Sequence, residues 1–343
     1  MCKEKIMEYT ANTIPLPNYG FSDEDIVLMP PAADDVEWHA RRAFCIGGSD
    51  VGAIMGLNDH KTALQVYREK VDHIVPDLSD NVFIKKGKTL EPVIFENWVV
   101  PKMNEMGYYA TRPDVIFSNR RFPFIQCNLD GAAISPDKES CIIEIKWVSS
   151  WGAANWNGED YCGIPKSYYA QVQTYMAVTG APKAFVFALF DDEWECKMYE
   201  VPRDNTFIDN LLKATKTFYT ANMQMEIPPK PAYGKDDATE VCTTLESDVT
   251  PHATEEFTDL VCEYLQAQKS LKDATQWESK LKQQLFERYA AGERSLLTNV
   301  DVKFKSSTMS RFDTTGFKAA HPDLYAQFLK QYPTSRICVS TKK

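Results

Sequence analysis

Residues 141–148, Cys-Ile-Ile-Glu-Ile-Lys-Trp-Val, constrain this chain more than any other stretch. The run is β-branched and aromatic, which predicts a strand. It is apolar at nearly every position, which predicts a strand covered on both faces rather than an exposed edge. Side chains two apart on a strand share a face. Glu144 and Lys146 therefore emerge together from a strand whose other members, Ile142, Ile143, Ile145, Trp147 and Val148, ask to be buried. Charge in such a place is costly unless it is paired or bound to a metal. Fourteen residues before Glu144 stands Asp130, in the turn-like sequence Asn128-Leu129-Asp130-Gly131. Together Asp130, Glu144 and Lys146 predict a divalent-metal site flanked by a lysine, which is equipment for hydrolysing a phosphate ester.

Composition excludes several other sites. The nine cysteines include no C-x-x-C pair, which argues against a zinc ribbon or a disulfide framework and fits a reducing cytoplasm. The five histidines are too dispersed for a histidine-based metal centre. No apolar run approaches the roughly 20 residues of a membrane span, and residues 1–25 lack the apolar core of a signal peptide. A cytoplasmic protein is expected. The net charge of −10 argues against phosphate binding by the chain as a whole. Residues 302–343 run the other way, with eight Lys or Arg against Asp313 and Asp323. Local fields outweigh the total for nucleic-acid binding.

The pattern along the chain predicts an α/β core. Residues 1–36, with Pro15, Pro17, Pro30 and Pro31, read as an irregular arm. Helices are predicted after Ser49 as N-cap, after Thr62, and over Gly87–Val100, with Pro92 tolerable in a first turn. Strands are predicted at Asp114–Phe117, Phe124–Asn128, Cys141–Val148, Ala184–Phe190 and Glu195–Val201. A helix at Lys166–Thr179, ended by Gly180, separates the third strand from the fourth, and Gly131–Ile143 reads as a connecting loop. A last core helix spans Thr206–Met223. The breaker Pro228-Pro229-Lys230-Pro231 closes a core over residues 37–230, with a linker over 231–250. Thr254–Tyr289 then carries a heptad pattern, broken by Glu278, of an amphipathic helix or helical hairpin within 251–293. Residues 294–343 read as a small basic α+β extension, with strands at Val300–Ser306 and Arg336–Ser340 around a helix near Pro322–Lys330.

Mg²⁺ takes hard oxygen ligands and keeps several waters. Asp130, Glu144 and the backbone carbonyl of Ile145 are the candidate donors, and Glu91 the additional carboxylate. Lys146 is placed to orient or deprotonate the attacking water, or to stabilise charge in the transition state.

Five motifs in order carry a family resemblance: Gly47-Gly48-Ser49-Asp50-Val51, Gly87-x-x-Leu90-Glu91-Pro92, Asn128-x-Asp130-Gly131, Glu144-Ile145-Lys146 and Tyr168-Tyr169-Ala170-Gln171-Val172-Gln173. The set resembles the YqaJ-type viral recombinase nucleases, relatives of lambda exonuclease within the PD-(D/E)xK superfamily. The resemblance implies a restriction-endonuclease-like core, with a mixed central sheet flanked by helices. It implies that Asp130 and Glu144 hold Mg²⁺, with Mn²⁺ able to substitute, that Lys146 is the catalytic lysine, and that Glu91 and Gln171 complete the catalytic set. It implies a 5′-phosphate and DNA-binding group of Arg42, Ser49, Lys61 and Tyr168. An Arg fork, a hydroxyl and a helix N-terminus do make an anion site. Asn128-Leu129 stands where the superfamily name has a proline.

The activity implied is digestion of the 5′-ended strand of linear duplex DNA in the cytoplasm of a bacterial host. The implied partners are DNA with free ends, further copies of the chain in a homo-oligomer such as a ring, and a single-strand annealing protein. Two readings compete. One is a structure-specific endonuclease or a CRISPR-associated iron–sulfur nuclease, but Cys45, Cys127, Cys141, Cys162 and Cys196 are not grouped for a cluster, so none is expected. The other is an inactive protein that binds DNA ends or a partner.

Overall fold

A computed structural model describes residues 19–21, 23–74, 80–232, 254–294, 310 and 312–329. The chain divides into two compact units, Met1–Ala238 and Thr239–Lys343.

The first unit holds strands β1 (Ile26–Met29) and β2 (Ile46–Gly47), then helices α1 (Asp35–Ala43), α2 (Gly48–Ile54), α3 (Ala63–Lys70), α4 (Val82–Ile94) and α5 (Val100–Glu105). Strands β3 (Tyr109–Thr111), β4 (Ile116–Asn119), β5 (Ile125–Cys127), β6 (Gly131–Ile134) and β7 (Ser140–Val148) follow. Helix α6 (Lys166–Thr179), strands β8 (Lys183–Phe190) and β9 (Glu195–Pro202), and helix α7 (Asn205–Thr217) complete it.

Strand β7 organises the unit. It pairs antiparallel with β6 on one side and parallel with β8 on the other, so it lies inside a five-stranded mixed sheet of order β3-β6-β7-β8-β9. Its Cys141, Ile143 and Ile145 side chains join Ile94, Phe95, Phe185 and Phe187 in a hydrophobic core. A parallel pair needs a crossover connection, and α6 supplies it. That helix is buried from Tyr169 to Thr179 because it packs against the sheet and against α2. Gly180 ends it in the left-handed region, φ 73°. A second, four-stranded sheet has the order β1-β4-β5-β2. A mixed sheet flanked by helices is the architecture expected.

Several local expectations give way. Ile26–Met29, placed in an irregular arm, is a fully buried strand paired with Ile116–Asn119. A four-residue apolar run without alternation, followed by Pro30-Pro31, carries little strand signal. Ser49 is not the N-cap: α2 starts at Gly48, and the Asp50 carboxylate accepts the N–H of Gly47 at 3.0 Å. Helix α4 begins well before Gly87, because Asn81 caps it through the N–H groups of Phe83 and Ile84. Pro92 therefore lies in its last turn, and a π-helical turn, Phe95–Val99, carries the chain on into α5. The Gly131–Ile143 segment is no simple loop, since its first four residues form β6. Thr62 caps α3 as expected, reciprocally with Gln65.

The second unit contains α8 (Glu255–Ala290), one continuous helix rather than a hairpin, with Thr254 capping the Phe257 N–H. Helices α9 (Thr314–Ala320) and α10 (Pro322–Phe328) follow. The strands expected at Val300–Ser306 and Arg336–Ser340 lie outside the described residues. Among the described residues no helix is long and apolar enough to cross a membrane.

Candidate active site

The β6–β7 hairpin sets the acids. A Cβ at Gly131 would stand 3.0 Å from the Phe95 ring and 3.1 Å from the Cβ of Ile143, a tight fit, so glycine eases the close approach of β6 to the turn that carries Phe95. That fixes Asp130 beside β7, where its Oδ2 accepts the Ile145 N–H at 2.8 Å. Two residues of β7 point into the same cleft: Lys146 Nζ donates to Glu144 Oε1 at 2.6 Å. From α6, Gln171 Nε2 donates to the same Oε1 at 2.7 Å and to the Tyr175 hydroxyl at 2.8 Å. Tyr168, one turn earlier, places its ring 4.7 Å from the Lys146 ammonium. Glu91 on α4 accepts from Arg112. Glu91, Asp130, Glu144, Lys146, Tyr168 and Gln171 all line one cleft of about 1230 Å³.

The charges in this cleft do not balance by themselves. Glu144 is 1% exposed and its Oε2 has no hydrogen-bond partner. Burial raises the Glu144 carboxyl more than the Lys146 ammonium lowers it. Burial and the charge of Glu144 raise Asp130, and burial and the charge of Asp130 raise Glu91. Burial works against the Lys146 ammonium, yet Glu144 and Asp130 more than offset it and hold it above the usual lysine range. Crowded carboxylates with an unsatisfied oxygen suit a hard cation. Among the described residues no three His, Cys, Asp or Glu side chains are grouped to enclose an ion. Asp130 and Glu144 are the two cleft carboxylates that could hold such an ion, and paired carboxylates suit Mg²⁺. Glu91 lines the same cleft, where Arg112 donates to its Oε1.

Three of the four residues expected to grip a 5′-phosphate and DNA, Arg42, Ser49 and Lys61, also converge, on a group that sequence reasoning passed over, while Tyr168 lies in the first cleft. Asp50 is fully buried. Arg42 Nη2 reaches its Oδ2 at 3.1 Å and Ser49 Oγ at 3.3 Å, and Lys61 Nζ reaches its Oδ1 at 3.1 Å. Lys70 adds a third cation at 3.0 Å, while Lys61 also meets Glu69 at 2.6 Å. Burial opposes the Asp50 charge, but Lys70, Arg42 and Lys61 hold its carboxyl far below the usual range. The charges of Arg42 and Lys61 are thus shared with internal acids, although both side chains keep part of their surface exposed.

Tyr175 joins the two clusters. It holds Gln171, and its ring packs where a Cβ on Gly48 would overlap it. Its position four residues after Gln171, on one helix face, was a signal available in the sequence. Asp50 offered one too, as an acid at the third position of a helix opening on Gly47. Arg112 offered none.

Residues 37–182 match the YqaJ-like viral recombinase domain. Every residue of the two clusters falls within it. Over 302 residues, 86% of this chain and 91% of its relative, the sequence is 26% identical to the uncharacterized protein YqaJ of Bacillus subtilis (strain 168). Two solved structures are similar. An alkaline exonuclease from Laribacter hongkongensis, also crystallised with dAMP, is 20% identical, covering 56% of this chain and 93% of that one, at a TM-score of 0.43. A phage-related exonuclease from Haemophilus somnus 129PT is 18% identical, covering 53% and 96%, at a TM-score of 0.39.

Proposed function

We propose that the chain is a divalent-metal-dependent DNA exonuclease that digests the 5′-ended strand of linear duplex DNA and leaves 3′ single strands for recombination. The observation that carries this is Glu144: a buried carboxylate held by Lys146 and Gln171 through one oxygen, with the other unpartnered beside Asp130 in an open cleft. The recombinase description of residues 37–182 supports the same reading.

Asp130 and Glu144 would hold Mg²⁺, which when bound lowers the pKa of coordinated water and neutralises charge on the phosphate. The protein groups do the rest. Gln171 gives one N–H to Glu144 Oε1 and the other to Tyr175, which fixes the amide and leaves Oε2 of Glu144 without a hydrogen-bond partner. Lys146, pinned between Glu144 and the Tyr168 ring, presents a positive charge to the developing negative charge of the phosphodiester. Arg112 restrains Glu91 at the cleft wall. A homo-oligomer enclosing the duplex and a single-strand annealing partner complete the proposal.

Linear duplex should be degraded with Mg²⁺ or Mn²⁺ and spared with a chelator, while covalently closed circles of the same sequence stay intact. Cutting of the closed circle would make the enzyme an endonuclease instead.

The Arg42–Ser49–Lys61 group is proposed to receive the terminal 5′-phosphate, with Asp50 holding the Arg42 fork in place. An Arg–phosphate contact is worth roughly 1.5–3 kcal/mol, about 10- to 100-fold in rate. Wild-type enzyme should therefore digest 5′-phosphorylated ends faster than 5′-hydroxyl ends, and Arg42→Ala should erase the difference. Equal initial rates on the two ends in the wild type would refute the pocket.

A further inference from the structure

Helix α8 carries an apolar seam exposed to solvent. Phe257, Leu260, Tyr264, Leu271, Leu281 and Leu285 follow alternating spacings of three and four, with Ala267 and Ala274 completing the heptad positions. Leu271 is 70% exposed and Phe257 65%, and no residue of the helix is buried. A helix of 36 residues is about 54 Å long. The seam runs from Phe257 to Leu285 with one polar member, Glu278; an exposed apolar stripe of this kind marks an interaction surface, and the heptad spacing specifies another helix as its complement.

Charge specifies the direction of that helix. Residues 255–268 contain Glu255, Glu256, Asp259 and Glu263 and no Lys or Arg. Residues 269–290 contain Lys269, Lys272, Lys280, Lys282 and Arg288 against Asp273, Glu278 and Glu287. A parallel copy would set the acidic third against itself and place Glu278, at a core heptad position, against its own image. An antiparallel copy sets the acidic third against Lys280, Lys282 and Arg288. It also matches the inner layers: with Leu271 facing Ala274 of the other helix, Tyr264 faces Leu281 and Leu260 faces Leu285, while Phe257 at the end faces Arg288. Glu278 then faces the small Ala267, so its carboxylate can reach solvent past the methyl group. The pattern is complementary to itself when reversed, as a two-fold interface requires.

We infer that α8 is an antiparallel homodimerisation helix whose partner is α8 of a second copy of this chain. The test uses the full chain. Light scattering after size exclusion should give a wild-type mass that Leu271→Glu, at the centre of the seam, halves. Direction is read by cysteine cross-linking in a Cys262→Ser background, with linked peptides identified by mass spectrometry. Ala267→Cys mixed with Glu278→Cys should form the 267–278 disulfide, and Ala267→Cys alone should form no 267–267 link. These two changes are small, so the cross-link stays informative if Leu271→Glu fails to fold. A monomeric wild type, which would leave the seam to another segment or another protein, overturns the proposal. So does a mass unchanged by a folded Leu271→Glu, or a 267–267 link in place of 267–278.

Discussion

Lys146→Ala is expected to lower metal-dependent DNA digestion by about 10²–10³-fold or more, the scale seen when one preorganised stabiliser of transition-state charge is removed. The ammonium has two neighbours that hold it in place, Glu144 Oε1 at 2.6 Å and the Tyr168 ring at 4.7 Å, so its charge is delivered without reorganisation. The fold should survive, because Glu144 keeps the Gln171 bond at 2.7 Å. Lys146→Met separates the contributions. It keeps the aliphatic stem over Tyr168 and removes only the charge, so it should be as inactive as Lys146→Ala and at least as stable to heat. DNA binding, measured with Ca²⁺ in place of Mg²⁺, should change far less than the rate. Full activity in Lys146→Met would remove this residue from the chemistry.

Asp50→Asn is expected to destabilise the protein by about 3–5 kcal/mol, the cost of breaking a buried ion pair on one side. Three cations meet this one carboxylate, and Lys70 is as buried as its partner, with side-chain exposures of 3% and 1%. Asparagine keeps the shape and an acceptor for the Gly47 N–H, so the loss isolates the charge. The pH dependence has a definite sign. Asp50 in the folded protein is held far below its ordinary value. Its stabilisation is therefore complete above the unfolded carboxylate pKa of about 3.9 and disappears as pH falls below that value. Urea unfolding at neutral pH should show the full difference, and the gap between variant and wild type should narrow in acid. A neutral-pH difference below about 1 kcal/mol, a surface-pair value, would mean that Asp50 does not organise the cluster.

The two clusters were unequally legible in the sequence. Glu144 and Lys146 showed themselves because they interrupt an apolar run that the structure buries inside the sheet, and Asp130 stood out at the turn before it. Arg42, Ser49 and Lys61 could be grouped only through the family resemblance. Asp50, which binds them, was hidden because its partners come from positions 42, 61 and 70 on three separate segments. The Glu91–Arg112 pair likewise spans 21 residues and has no periodicity to betray it. In the fold, strands with long apolar runs were readable, whereas Ile26–Met29 and Gly131–Ile134 exist through pairing with β4 and β7 rather than through their own propensity. Pro92 marked a helix correctly but not its start, because the Asn81 cap lies ten residues before Glu91.

The most direct measurement is digestion of a linear duplex labelled at either its 5′ or its 3′ ends, with Mg²⁺, by wild type and by Asp130→Asn. The expected result is early release of the 5′ label as mononucleotide, late release of the 3′ label, and no release by Asp130→Asn. Early release of the 3′ label would reverse the proposed polarity, and equal activity of Asp130→Asn would contradict the assignment of the Asp130–Glu144–Lys146 cleft as the site of DNA hydrolysis.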